Sequence, residues 1–249
     1  MHLSVSRPPT VIRRQADLRK LPAWKRAIDI ICCLVVLPFL ALGALAVGVM
    51  SMLFSPGPIF FRQERIGYRG RRFMIYKFRT MHLASDTQTH SAHFTELIRS
   101  GVPMQKLDGR GDRRLVPGGW LLRASGLDEL PQIINVLRGE MSLVGPRPCI
   151  PYEFELYTAE QRRRFDCVPG LTGLWQVSGK NRTTFNEMVR FDIEYAETRS
   201  LGLDLRIMVM TVPALITQIV DTRLAKRKAQ TTFGAPVPAS TTAVADRSS

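Results

Sequence analysis

Thirty-two consecutive residues, Ile30 to Phe61, carry no charged side chain, and the chain that follows is a series of short patterned segments. The apolar stretch reads as helix. At about 1.5 Å per residue it would reach roughly 48 Å, beyond the roughly 30 Å of bilayer hydrocarbon. Ser55-Pro56-Gly57-Pro58 must end that helix near Phe54, and Pro38 falls inside it. Beyond the break, Ile59 to Gly67 and Arg72 to Thr80 alternate apolar and basic positions around Gly67-Tyr68-Arg69-Gly70. This predicts a hairpin with Lys77 and Arg79 along one face. From Trp120 to Pro148 the pattern turns helical. Pro131 fits the first turn of a helix, Ile133, Ile134, Val136 and Leu137 form its apolar face, and Gly139 stops it. Val168 to Val177 reads as a turn leading into a buried strand or loop. Thr183 to Ser200 reads as an amphipathic helix with Phe185, Met188, Val189 and Ile193 mostly on one side. Leu201 to Val220 carries only Asp204 and Arg206 as charges and is read as a core helix rather than one on a membrane surface. From Ala229 onward Ala, Thr, Pro and Ser predict a disordered tail. The sum is an α+β chain, mainly helical, with a small β-hairpin or sheet.

Composition changes this picture mainly through charge. At 249 residues and 45% hydrophobic content the chain folds, and it has room for one good core or two small ones. With one long apolar stretch, it is not a polytopic membrane protein. Its net charge of +14 calls for an anionic partner. Most of that charge brackets the apolar stretch, because residues 1–29 carry a net +5 and residues 62–80 a net +6. A cleaved signal peptide has too short an apolar core to match this segment, typically about 7 to 15 residues. A transmembrane anchor would place one basic flank outside the cytoplasm, against the positive-inside tendency. A re-entrant hairpin turning at Pro38 would lay both flanks on anionic headgroups, each Lys or Arg contributing about 1 kcal/mol. Charge alone leaves anchor and hairpin level. The four cysteines form no CxxC pair, which fits a reducing compartment.

Candidate chemistry concentrates in one region. Asp128 and Glu129 sit at the start of the helix that contains Pro131, where the positive end of the helix dipole favours carboxylate and phosphate alike. The plain alternative is an acidic N-cap. Arg123 lies five residues upstream, and Arg147 is framed by Pro146 and Pro148. An arginine held rigidly in this way suits a phosphate, since its planar fork can pair two oxygens. His82, His90 and His93 have no acidic or cysteine partner at ligand spacing and read as surface histidines.

Taken in order, several of these segments resemble one family. They are Lys25-Arg26-Ala27-Ile28-Asp29, Ser55-Pro56-Gly57-Pro58, Arg65-Ile66-Gly67, Lys77-Phe78-Arg79-Thr80-Met81, Leu127-Asp128-Glu129-Leu130-Pro131-Gln132, Gly145-Pro146-Arg147-Pro148 and Pro169 to Gln176. Over roughly residues 24–220 the chain resembles the monotopic bacterial polyprenyl-phosphate phosphoglycosyltransferases, most of all the exopolysaccharide-initiating hexose-1-phosphate branch. The resemblance implies a monotopic protein whose N-terminal re-entrant helix is broken at Pro38. Leu37 stands where many relatives have Ser before that proline, and Gly126 where relatives usually have Ser. It also implies transfer of hexose-1-phosphate from a UDP-hexose to undecaprenyl phosphate, with release of UMP. In that reaction Asp128 is the nucleophile and forms an aspartyl-phosphosugar, and Glu129 is the Mg2+ ligand. Lys77, Arg123 and Arg147 are assigned to substrate phosphates, with Arg79 either a further phosphate contact or a structural cation. The expected organisation is a basic arm over 1–23, a membrane hairpin over 24–58, a catalytic domain over 59–228 and a tail over 229–249. The expected location is the cytosolic face of the bacterial inner membrane, on anionic lipid, with no nucleic-acid partner and with a homodimer allowed. The competing reading is a membrane-tethered basic scaffold or nucleic-acid binder without catalysis. No recognition helix, aromatic RNA-binding pair or zinc spacing supports that reading.

Overall fold

The computed structural model describes residues 21–54, 56–82, 102–103, 115–116, 118–179 and 182–233. The basic arm up to residue 20, His90, His93 and the tail from residue 234 lie outside the described residues.

Helix α1 spans Ala23–Phe54 and ends where the Ser-Pro-Gly-Pro segment requires. It passes through Pro38 as a single element, so the break expected there is absent from the secondary structure. The buried positions Lys25, Asp29, Cys33, Leu40 and Val47 keep a three-to-four-residue spacing or its double on both sides of Pro38. One stripe of the helix therefore stays on the protein along its length. The opposite stripe, including Val35, Phe39, Leu42 and Leu45, is more than 60% exposed. Among the described residues, α1 is the one helix long and apolar enough to cross a membrane.

Both ends of α1 dock on the same body. Near its start, Lys25 Nζ donates to Val144 O at 2.9 Å and to Tyr195 Oη at 3.0 Å, and pairs with Asp204. Arg26 donates to the carbonyls of Val136 and Leu137, and Asp29 accepts from Ser142 Oγ and the Leu143 amide. Near its end, a Cβ placed on Gly43 would lie 3.4 Å from the Phe78 ring and one on Gly48 3.2 Å from Ile59.

Strands β1 (Phe60–Ile66) and β2 (Arg72–Phe78) form the expected antiparallel hairpin, with Lys77 opposite Phe61 and Phe73 opposite Arg65. Helix α2 (Gly119–Ser125) leads through Gly126, at φ 75°, into a 3-10 helix over Leu127–Gln132 and on into α3, Ile133–Leu137. Pro131 thus lies within the 3-10 segment rather than in the first turn of an α-helix. Ile133 and Val136 face the core shared with Cys33, Leu40, Val47, Ile75, Phe78 and Met141, while Gly139 at φ 74° ends α3 as its sequence predicts.

Strand β3 (Ser142–Val144) pairs in parallel with β4 (Gly170–Thr172). Helices α4 (Pro151–Leu156), which packs on β1, and α5 (Ala159–Arg162) lie between these strands in the chain, and α6 (Leu174–Val177) follows β4. Helix α7 (Phe185–Thr198) starts at Thr184, which shares a reciprocal cap with Glu187, and buries Phe185, Met188, Val189, Asp192 and Tyr195. Helix α8 runs Leu201–Phe233, five residues into the segment expected to be tail. Its inner face is the buried Asp204 and Ile207. Leu201, Leu205, Val209, Val212, Ile216 and Val220 form an exposed apolar stripe, which corrects the core-helix expectation. Only one face is covered.

The β3–β4 junction is packed backbone against backbone. A Cβ on Gly170 would stand 2.1 Å from Gly145 N, and one on Gly173 2.3 Å from Gly145 O. Gly170→Ala is expected to destabilise the protein by about 3 kcal/mol, at the upper end of overpacking costs because the clash is with main chain. Thermal unfolding of the purified protein measures it.

Candidate active site

Strand β2 has two uses. One edge pairs with β1, and at the other the buried Asn135 side chain accepts from the Tyr76 amide at 3.3 Å and donates to Met74 O at 2.7 Å. Asn135 stands in for a further strand, so the 3-10 helix and α3 are registered against β2. Ile75 and Lys77, two residues apart, share a strand face. Lys77 Nζ donates to Glu129 Oε1 at 2.7 Å. Both side chains are partly exposed, so the pair adds little stability and its value is placement. Glu129 is held on its own helix by its amide, which donates to Gly126 O at 3.0 Å.

The Pro146-Arg147-Pro148 segment is fixed from below. The Arg164 guanidinium, 1% exposed, donates to Arg147 O at 3.1 Å and to Tyr157 Oη at 3.0 Å, and it pairs with the equally buried Asp192. Burial pushes the Asp192 carboxyl up to about 6, against the opposing pull of Arg164. The Ile66 amide donates to Cys149 O at 2.8 Å, which draws the end of β1 against this segment and brings Arg65 beside Arg147. Burial, and then the charge of Arg147, pull the Arg65 guanidinium down to about 10.

These elements meet at an open cleft lined by Arg65, Ile75, Lys77, Glu129, Gln132, Arg147, Pro148, Gly170, Leu171 and Gln176. Three cations face one carboxylate, a balance that favours a polyanion. Of the residues expected from sequence, Lys77, Glu129 and Arg147 meet here. Asp128 immediately precedes Glu129 in the first turn of the 3-10 helix, half-buried and outside the lining, and Arg123 occupies the last turn of α2. Arg79 lies past the end of β2, buried, with Nε donating to Pro58 O at 2.8 Å, so one use of its charge is to hold the loop after α1. Arg65, Gln132 and Gln176 were not expected as site residues, although all three lie in the Arg65-Ile66-Gly67, Leu127 to Gln132 and Pro169 to Gln176 segments noted above.

No group of three or more His, Cys, Asp or Glu able to hold a metal occurs among the described residues. One partly exposed carboxylate, Glu129, in a cationic cleft does fit Mg2+ carried on phosphate oxygens, because that ion needs only one or two carboxylates.

The bacterial sugar transferase family matches residues 20–218 of the chain. The UDP-glucose:undecaprenyl-phosphate glucose-1-phosphate transferase of Caulobacter vibrioides is 40% identical over 217 residues, covering 82% of this chain and 72% of that protein. The exopolysaccharide production protein ExoY of Sinorhizobium fredii is 39% identical over 199 residues, 77% of this chain and 84% of that protein. The galactosyl transferase CpsE of Streptococcus agalactiae is 38% identical over 182 residues, 70% of this chain but only 40% of that longer protein.

Proposed function

The chain belongs to the bacterial sugar transferase family, and on that premise we propose that it moves a hexose-1-phosphate from a UDP-hexose to undecaprenyl phosphate, the first membrane step of exopolysaccharide assembly. The observation that carries this reading is the Lys77–Glu129 pair, set beside Arg147 in a cationic cleft and adjoining Asp128. The names of the relatives from Caulobacter vibrioides and Sinorhizobium fredii support it.

The Asp128 carboxylate attacks the β-phosphorus of the UDP-hexose, the bond from that phosphorus to the bridging oxygen breaks, and UMP leaves. A phosphate oxygen of undecaprenyl phosphate then attacks the same phosphorus, the aspartyl bond breaks and the carboxylate is restored. A carboxylate approaching a diphosphate needs positive charge between them. Lys77, Arg147 and Arg123 supply it. Glu129 is the residue that would hold Mg2+, whose charge would offset the diphosphate. When phosphate takes over Lys77, the Glu129 carboxylate is released. Lys77→Met is accordingly expected to lower kcat/KM by about 10- to 100-fold, the worth of a charged hydrogen bond, with UMP release as the measurement.

The lipid acceptor fits the exposed apolar surfaces. Because both ends of α1 bind the catalytic body, a crossing of the bilayer would have to carry that body with it. We therefore place α1 in the cytosolic leaflet of the inner membrane without crossing it, its stripe around Phe39 in lipid and its buried stripe on the catalytic body. The apolar stripe of α8 and the exposed Trp120, Leu121 and Leu127, next to Asp128, extend that surface to the site. The phosphate of undecaprenyl phosphate then lies at headgroup level while UDP-hexose arrives from solution. Incubating the membrane-bound protein with undecaprenyl phosphate and a panel of UDP-sugars tests the reading. UMP release with one of them is expected, and none with any would contradict it.

A further inference from the structure

Two buried polar atoms at the cleft have no partner among the described residues, and the reaction above gives neither of their residues a task. Arg65 is 6% exposed. Its Nη1 donates to Pro148 O at 3.3 Å and its Nη2 to Gln63 Oε1 at 2.7 Å, but Nε donates to nothing. Gln176, on α6, lines the same cleft with Oε1 buried and accepting nothing. A buried donor or acceptor left unmade costs about 1–3 kcal/mol, so both are expected to find a partner. One is an anion donor and the other accepts from O–H or N–H. Arg147 lies close enough to Arg65 for the two charges to oppose each other, a repulsion that an anion between them would convert to attraction.

We propose that Arg65 and Gln176 are donor-substrate contacts, Arg65 sharing a phosphate of the nucleoside diphosphate with Arg147 and Gln176 Oε1 accepting a hydroxyl of the donor. This rests on the nucleotide-sugar reading above. The hydroxyl belongs to the ribose or to the hexose, which share this chemistry. The guanidinium fork also explains why arginine rather than lysine occupies the position. It reaches the Pro148 carbonyl and Gln63 while keeping a third N–H free.

Titration calorimetry of the full-length protein with UDP, with inorganic pyrophosphate and with UDP-hexose tests the proposal. Arg65→Gln is expected to weaken UDP and pyrophosphate together, by about 10- to 100-fold, and Arg65→Lys to recover part of the loss. Gln176→Met is expected to leave pyrophosphate unchanged. It weakens UDP and UDP-hexose alike if the hydroxyl is on the ribose, and UDP-hexose alone if it is on the hexose. Unchanged UDP affinity in Arg65→Gln, beside a wild type that binds UDP, overturns the proposal and leaves the reading standing. A wild type that binds no UDP overturns both. Should Arg65→Gln lower the melting transition instead of binding UDP as a folded protein, Gln176→Met decides. Equal affinity for UDP and UDP-hexose with wild type then overturns the proposal.

Discussion

Asp128→Asn is expected to reduce UMP release by at least about 10^4-fold, the scale seen when a nucleophile is removed, while leaving the melting transition near that of wild type. The amide has the size of the carboxylate but no anionic oxygen to attack phosphorus. Asp128 is half-buried at the start of a 3-10 helix, where Asn takes up the same space. Glu129→Gln is the control. It keeps the shape of its neighbour and removes the charge that Lys77 faces, so turnover should fall without loss of the nucleophile. Turnover in the Asp128→Asn protein within tenfold of wild type would remove Asp128 from its role.

The second large effect concerns stability. Asp192→Ala leaves Arg164 charged, 1% exposed and without its ion-pair partner, at an expected cost of about 3–5 kcal/mol. For a chain of this size that is a melting transition lowered by roughly 6–20 °C, measured on the solubilised protein. Activity should fall as well, because Arg164 carries the Arg147 carbonyl and so holds the Pro-Arg-Pro segment against the cleft. Replacing both members of the pair by apolar residues, Asp192→Leu with Arg164→Met, should recover much of the stability without restoring the segment. A single variant as stable as wild type would show that the pair does not hold this segment.

Much of this arrangement is legible in the sequence, and the rest fails for identifiable reasons. The end of α1 at Phe54, the β1–β2 hairpin, the stop at Gly139 and the capped start of α7 all follow from Pro, Gly and Thr acting locally. The grouping of Lys77, Glu129 and Arg147 followed from a resemblance, since 52 residues separate the paired Lys77 and Glu129. Asn135 gave no signal, because its work is to complete the edge of a strand far away in the chain. Arg65 and Arg79 look alike as members of a basic hairpin. Both are 6% exposed, and only their placement in the fold separates them, one lining the cleft and the other bonded to the Pro58 carbonyl. The apolar pattern of Leu201 to Val220 identified a helix but not which of its faces would be covered, and the exposed stripe on α8 answers that. Pro38 argued for a break, yet the buried stripe of α1 stays in phase across it.

The most direct measurement is to incubate the purified protein with its UDP-sugar in the absence of lipid acceptor, then digest it and weigh the peptides. A peptide containing Asp128 that has gained one phosphohexose, and loses it when undecaprenyl phosphate is added, is the predicted result. UMP released with the phosphohexose on a different residue, or on none, would contradict the account.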